Sequence, residues 1–229
     1  QKRNLIMRNF LNILQIINII VMKDFVEEIK SKEILISIIS YSTLVLVVVA
    51  TTSYINNSIE IFSTIFWISL SFSVILGINK SMSKEFENNG LEMLLTSPIG
   101  FEIVIMSKAI TNFILISISS AIILLFNNII LNYDLYDLEF IFLVLIVNFG
   151  FSIIGTITYL LFSKARGKEI LSPLLFIPLV SPLLMGGSLT SVQIMNNNLE
   201  GYAWYGLIIA YDIIFLLIGV FISNLIFQE

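Results

Sequence analysis

The sequence predicts an all-α polytopic membrane protein with six transmembrane helices. Its 229 residues are 57% hydrophobic and only 12% charged, with a mean hydropathy of +0.97. Because a water-soluble domain of this length could not bury so much apolar surface, lipid is the expected solvent. A backbone in lipid must satisfy its own hydrogen bonds, so apolar stretches of about 20 residues are helices rather than strands. Six stretches qualify: Ile34–Tyr54, Ile61–Asn79, Ala109–Leu131, Phe140–Ser163, Ile170–Ser191 and Tyr202–Phe227.

Residues 1–33 precede the transmembrane domain of residues 34–229 and include an amphipathic segment, Leu5–Met22. Its polar side chains recur at helical spacing: Arg8, Asn9, Asn12, Gln15 and Asn18. Three interpretations compete: a signal peptide, a seventh span, and a helix lying in the membrane interface. No small-residue cleavage site follows, and a seventh span would separate three basic residues from the others. We therefore expect an interfacial helix, joined to the first span by a charged cytoplasmic elbow, Lys23–Glu33.

The basic side chains lie on one side of the predicted membrane. All 12 Lys and Arg residues precede the first span, border the loop between spans two and three, or lie in the loop between spans four and five. The intervening loops carry acidic residues but no Lys or Arg. The positive-inside bias therefore places both ends of the chain and the basic loops in the cytoplasm or its equivalent.

The absence of Cys and His narrows the chemistry of the chain. It excludes disulfides, thiol catalysis, Cys/His zinc sites and general-base catalysis by histidine. No metal site is expected. For a haem iron, only Met, Tyr or weaker groups remain as axial ligands. Met185 and Met195 lie near the external end, although such methionines more often serve as packing residues.

The loop between spans two and three contains a short helix on the basic side. Asn89-Gly90 is a strong helix stop, Leu91–Leu95 favours helix, and Pro98 ends it. Its leucines share one face, at positions 91, 94 and 95, and that face belongs to no span. The face either docks into a groove on a partner protein or rests on lipid headgroups.

The loop between spans four and five carries Lys164, Arg166 and Lys168. Its Gly-Lys pair is not a phosphate-binding loop, which would need Gly at position 162 and Ser or Thr at position 169. Those positions hold Phe162 and Glu169. The chain therefore does not bind ATP by this device, and a separate nucleotide-binding subunit is implied.

The fifth span carries three of the four prolines: Pro173, Pro178 and Pro182. Proline removes a backbone donor and disfavours helix at the preceding residue, so the span should be kinked, or broken near Ser181-Pro182. A broken helix in lipid needs protein or water around its open backbone groups. Two interpretations stay open: a moving or substrate-adjacent hinge, and a static kink that shapes packing.

Asp212 lies within the sixth span, and the predicted spans contain no Lys or Arg to pair with it. A charge at mid-bilayer costs about 2.5–3.5 kcal/mol on insertion scales, so such a residue marks a functional site by default. If the span begins at Ile208, Asp212 is only about one turn deep and belongs to the outer interface. Both interpretations stay open.

The string Glu-x-x-x-x-Gly-Leu-Glu-x-Leu-Leu-x-Ser-Pro, from Glu85 to Pro98, resembles the signature of ABC-2-type exporter permeases. In that superfamily this loop is the coupling helix that meets the ATPase subunit. The resemblance implies these ATPase-docking residues: Glu85, Glu87, Gly90, Leu91, Glu92, Leu94, Leu95, Ser97 and Pro98.

Within that superfamily the chain most resembles the CcmB-type haem exporter permeases of cytochrome c maturation, over roughly residues 24–227. The length, the six spans and the lack of a fused ATPase are similar. So are Trp67 in the second span, Ser107-Lys108 after the Ser-Pro pair, and the leucine- and proline-rich Ser172–Pro182. One feature departs, since Asn112-Phe113 stands where the family commonly has a His-Trp pair.

The resemblance implies a non-catalytic membrane subunit of an ABC transporter complex that handles haem for c-type cytochrome maturation. A separate ATPase subunit would bind ATP, and this chain would relay its motion. The other implied partner is a second membrane subunit presenting haem, or a second copy of this chain; no nucleic acid is expected. Haem can be present in the complex, and no cofactor is expected on this chain itself. The implied location is the prokaryotic cell membrane or the mitochondrial inner membrane.

Two alternatives stay open. The missing His-Trp pair is compatible with an ABC-2-type exporter of a drug, lipid or polysaccharide. An ion-coupled secondary carrier could instead use Asp212, but the coupling loop argues against it.

Overall fold

The computed structural model describes residues 2–53, 59–87, 100–131, 138–162, 165, 167–196 and 202–226. This part of the chain forms seven α-helices: α1 (Lys2–Ser31), α2 (Glu33–Ser53), α3 (Ile59–Glu87), α4 (Phe101–Leu131), α5 (Leu138–Leu161), α6 (Lys168–Met195) and α7 (Tyr202–Ile226). Helix α5 is central, because it packs against α3, α4, α6 and α7, and its residues 150–160 are all buried. Helix α1 packs mainly on α4, and α2 packs on α3 and α4.

Five helices are long and apolar enough to cross a membrane: Phe62–Ser83 in α3, Glu102–Ile129 in α4, Leu138–Leu161, Ile170–Met195 in α6 and Ala203–Ile222 in α7. Segments of α1 and α2 meet the same requirement together, as one span bent by 64°. The described residues thus carry five spans, or six if the bent pair counts as one. The chain is a multi-pass helical membrane protein, whereas the count of six and the interfacial position of α1 stay predictions.

The bend between α1 and α2 is centred on Lys32, whose φ of 55° lies in the left-handed region. The N–H of Lys32 donates to Glu28 O at 2.6 Å and closes α1. The carboxylate of Glu28 accepts a hydrogen bond from the N–H of Leu35 at 3.0 Å, in the first turn of α2. Glu28 therefore satisfies an open donor at the start of α2 while its own carbonyl ends α1.

Two helices extend beyond the apolar stretches that predicted them. Helix α3 runs to Glu87 rather than Asn79, and α4 begins at Phe101 rather than Ala109. Hydropathy marks only the lipid-facing length, while the backbone continues to form helix through the polar residues that follow. As a result Lys108 lies inside a candidate span, and the prediction that the spans hold no Lys is wrong.

Helix α6 is continuous through its three prolines, so the predicted break near Ser181-Pro182 does not occur. Pro182 has no N–H to donate to the carbonyl of Pro178, four residues earlier. The hydroxyl of Ser181 donates to Pro178 O instead, at 2.8 Å. This side-chain hydrogen bond satisfies the acceptor that the proline leaves open, so the helix does not need to unwind.

Candidate functional site

Helices α3 and α4 lead into the two ends of the segment predicted to dock on an ATPase. Glu85 and Glu87 lie in the last turn of α3, and α4 begins at Phe101. The remaining predicted docking residues lie outside the described residues: Gly90, Leu91, Glu92, Leu94, Leu95, Ser97 and Pro98. The coupling helix therefore stays a prediction, while the two helices that flank it are defined.

The helix on the upstream side of this segment is attached to the core. The hydroxyl of Ser83, near the end of α3, lies 3.0 Å from the hydroxyl of Tyr159, near the end of α5. Tyr159 is completely buried. Nearby, Lys80 Nζ donates to Ser37 Oγ at 3.1 Å and connects α3 to the start of α2. The end of α3 is thus held by both α5 and α2.

The helix on the downstream side is attached by an ion pair. Lys108 Nζ, on α4, lies 2.6 Å from Asp24 Oδ2, on α1. Only 6% of the Lys108 side chain and 10% of the Asp24 side chain are exposed. The sequence did not predict this contact, although a Lys inside an apolar helix and an Asp on an amphipathic helix each indicate a need for a partner.

The second basic loop lies at the same end of the bundle. It follows α5, whose last turns contact the end of α3 through Tyr159. Lys168 opens α6, while Lys164 and Arg166 lie outside the described residues. Gly167, with a φ of 86°, precedes α6 in a left-handed conformation that favours glycine. The structure therefore brings the two loops predicted to be cytoplasmic to one end; its side of the membrane stays a prediction.

The three prolines of α6 lie toward its outer side. Pro178 is exposed, and Pro173 and Pro182 are partly exposed. The buried side of the same helix carries Phe176 and Leu183. The prolines therefore lie toward the outside of the described bundle, whereas Asp212 is buried. Their role as a hinge or pathway together with Asp212 stays a prediction.

Asp212 is buried in the middle of α7, with 4% of its surface exposed. Helix α7 begins at Tyr202, and its candidate span is Ala203–Ile222, so Asp212 lies near the middle of that span, which favours the mid-span interpretation over the outer-interface one. Its Oδ1 atom has no hydrogen-bond partner among the described residues. The carboxylate lies against Gly150 of α5, where any Cβ atom would collide with Oδ1. A buried carboxyl group in such contact is a candidate for function rather than for packing.

A second contact missed by sequence reasoning joins α3 to α6. The indole Nε1 of Trp67 donates to Ser191 Oγ at 2.8 Å. One turn earlier, Ser63 Oγ donates to Ser188 O at 3.0 Å. A Cβ atom at Gly187 would lie 3.0 Å from the indole, closer than most side-chain contacts, so a larger residue there would require the indole to shift. The signal available in the sequence was the small-residue cluster that follows the prolines.

Asn112, which stands where the resemblance suggests histidine, is buried between α4 and α5. Its Nδ2 donates to Thr156 Oγ1 at 3.0 Å. Asn112 therefore joins two spans and is not open to a ligand. Met185 and Met195 lie ten residues apart on α6, or about 15 Å along its axis, too far to ligate one iron together. Among the described residues, no group of three acidic side chains could hold a metal ion.

Five or six candidate membrane-spanning helices define a polytopic helical membrane protein. A comparison with protein-family models matches residues 15–226 to the family described as CcmB protein. Because the match covers most of the chain, the protein belongs to the CcmB family, whose members are ABC transporter permeases of haem export and cytochrome c biogenesis. No curated protein and no solved structure matches the chain.

Proposed function

We infer that this chain is the membrane subunit of an ABC transporter complex that handles haem for c-type cytochrome maturation, and that it relays ATP-driven motion from a separate ATPase subunit. Membership of the CcmB family over residues 15–226 is the observation that carries this proposal. The chain itself is non-catalytic. Its partners are the ATPase and a second membrane subunit that presents haem, or a second copy of this chain. The membrane is that of a prokaryotic cell or the inner membrane of a mitochondrion.

The lengths of the two flanking helices support the relay. Helix α3 has 29 residues and α4 has 31, so each is longer than about 40 Å, while the hydrocarbon core is about 30 Å thick. Each helix therefore extends beyond the hydrocarbon core of the membrane. Residues 88–99 connect them, so a force applied to that segment acts on two rigid rods at once. The contacts of Ser83 and Lys108 then transmit the force to the rest of the bundle.

The burial of Asn112 favours relay over direct haem binding by this chain. Its amide is committed to Thr156, and the sequence holds no histidine. Haem in the complex would then be held by the other membrane subunit. The same observation is compatible with the second candidate, an ABC-2-type exporter of a drug, lipid or polysaccharide. Purification of the native complex in mild detergent separates the two, because only the first is expected to contain haem and a haem-presenting subunit.

Replacing Leu94 and Leu95 by Asp tests the docking claim. We expect the ATPase that co-purifies with the chain to fall by about tenfold or more, equivalent to about 1.4 kcal/mol of binding free energy. Met93→Asp is the matched control, since Met93 lies on the opposite side of the predicted helix and should retain the ATPase. An unchanged complex in the double variant would remove the docking claim.

A further inference from the structure

The ion pair between Asp24 and Lys108 connects two parts of the chain that are 84 residues apart. Lys108 lies about two turns into α4, which begins directly after the docking segment. Asp24 belongs to α1, and its second carboxylate oxygen lies 3.7 Å from Lys23 Nζ. The Lys23 side chain is 55% exposed, whereas only 6% of the Lys108 side chain is exposed. Of the two contacts of Asp24, the one with Lys108 is therefore the buried one.

A buried ion pair behaves as a stiff connection. Separating the two members gives up a short charge-assisted contact in a place where water cannot fully replace it, which is unfavourable, whereas an exposed pair is screened and weak. Any displacement of the first turns of α4 that separated Asp24 from Lys108 would carry this cost. Helix α1 should therefore follow α4 rather than release it.

Helix α1 is also attached to α2, one turn further along the same face. Glu28 lies four residues after Asp24, so the two carboxylates share one side of the helix. Asp24 contacts α4, while the Glu28 carboxylate accepts the N–H of Leu35 at the start of α2. Helix α1 thus links two other helices through one acidic residue each: Asp24 contacts α4, and Glu28 contacts α2.

The opposite side of α1 is exposed, and it carries the apolar side chains of Ile19, Met22 and Val26 beside the polar side chains of Gln15 and Asn18. If α1 lies in the membrane interface, as the sequence predicts, these exposed apolar side chains contact lipid. Lipid can yield to a moving helix, while the protein side of α1 is fixed by charged contacts. A helix with one face fixed to protein and the other against lipid can move together with α4.

We propose that Asp24 and Lys108 are positioning residues that make α1 a second path for the ATPase-driven motion, from α4 through α1 to α2. This proposal rests on the proposed function. The first path runs through α3, by the Ser83–Tyr159 and Trp67–Ser191 contacts, to α5 and α6. Helix α1 is then a working part of the relay rather than a membrane anchor.

The test compares Asp24→Asn, Lys108→Met and the swapped double variant Asp24→Lys/Lys108→Asp. Lys23→Gln is the matched control, because it removes a neighbouring exposed positive charge that also contacts Asp24. Each variant is purified with its ATPase, and the haem transferred per ATP hydrolysed is measured together with the amount of ATPase bound. A purely structural pair would change the amount of complex but not this ratio.

We expect both single variants to bind the ATPase as the wild type does and to hydrolyse ATP. Their transfer per ATP should fall about 5- to 150-fold, the range typical of coupling between sites. The swapped variant should recover most of the loss, and Lys23→Gln should show none. A double-variant cycle then measures the pair itself.

Two results would overturn the proposal: single variants with a wild-type ratio, or single variants that lose transfer without recovery in the swap. If the single variants do not accumulate, the swapped variant alone tests the proposal. A swapped complex that accumulates but transfers little haem per ATP overturns the proposal. A wild-type complex that contains no ATPase would instead refute the proposed function. The two failures are therefore distinguishable.

Discussion

The central helix α5 contacts its neighbours in two different ways, and the first is the polar contact with α4. Asn148 Nδ2 donates to Ser120 Oγ at 2.9 Å, and Asn112 Nδ2 donates to Thr156 Oγ1 at 3.0 Å. All four side chains are buried. Helices α4 and α5 are therefore joined within the bundle by two hydrogen bonds, which lie about two turns apart along the helices.

The contacts of α5 with α3 and α7 depend on glycine instead. A Cβ atom at Gly150 would collide with the Asp212 carboxylate, and one at Gly155 would collide with Ile78 Cδ1. Gly219 of α7 is in similarly close contact, since its Cβ would lie 2.9 Å from Ile157 Cδ1. These helices interlock by shape, with small residues that allow close approach.

The difference indicates which contacts can change during a transport cycle. A hydrogen bond between transmembrane helices contributes about 0.6 kcal/mol on average, so the two hydrogen bonds between α4 and α5 can break and re-form at little cost. Close-packed surfaces resist such slipping, because a small shift produces overlap. We therefore expect α4, which follows the docking segment, to move relative to a unit formed by α5 and α7.

The largest effect is expected where the close-packed side is disturbed. Gly150→Leu places a side chain where the Asp212 carboxylate and Leu183 already lie, and overpacking of this kind costs about 1–3 kcal/mol or more. The unfolding midpoint in detergent should fall by several degrees. Gly206→Leu is the matched control, because nothing lies within 4 Å of a Cβ at that position of α7. Equal midpoints for the two variants would mean that the interlocking described above is not what holds α5.

A smaller effect is expected from the carboxyl group on the same side. Asp212→Asn keeps the shape of the side chain and should leave the amount of protein in the membrane unchanged. Because the described residues supply no hydrogen bond to Oδ1, we expect the carboxyl to serve function, and cytochrome maturation should fall by about tenfold, or about 1.4 kcal/mol in the barrier.

The control is Tyr211→Phe, which removes the neighbouring hydrogen bond from the Tyr211 hydroxyl to Leu179 O but no carboxyl. It should retain maturation. Normal maturation in Asp212→Asn would assign Asp212 to packing. Transport that needs a proton gradient and no ATPase would instead support a secondary carrier.

The smallest effect is expected on the polar side. Thr156→Val removes the acceptor of Asn112 and should destabilise the folded protein by about 0.6–1.7 kcal/mol. Thr158→Val is matched to it, because within the described part of the chain that hydroxyl donates to carbonyls of its own helix, at Ile154 and Gly155. The difference in unfolding free energy between the two variants isolates the bond between helices. A larger loss of unfolding free energy in Thr156→Val than in Gly150→Leu would mean that the polar contacts of α5 are stronger than its close-packed ones.

Several features of the fold could be predicted from the sequence because they depend on local composition. The last predicted span, Tyr202–Phe227, matches α7 to within one residue at its end. The spans that lead to the docking segment were predicted too short, since their polar ends are helical as well. The break at Pro182 was predicted because proline has no N–H to donate. The prediction did not consider that the hydroxyl of Ser181 could donate in its place.

The candidate site was predicted less completely. Asp212 stood out because an acidic residue in an apolar helix is conspicuous by itself. Its neighbour Gly150 did not, because a glycine shows its role only when the opposing atom is known. The pairing of Asp24 with Lys108 was also missed, since the two residues belong to helices that are far apart in the chain.

The amino-acid order alone determined that this is a multi-pass helical membrane protein, because the length of an apolar stretch is set by the thickness of the lipid. It also carried the signature of the CcmB family. Only the tertiary structure decided which helices touch and which polar groups meet across them. Lipid-facing helices are about equally apolar on every side, so their neighbours are chosen by side-chain shape and by a few buried polar contacts, which no local pattern records.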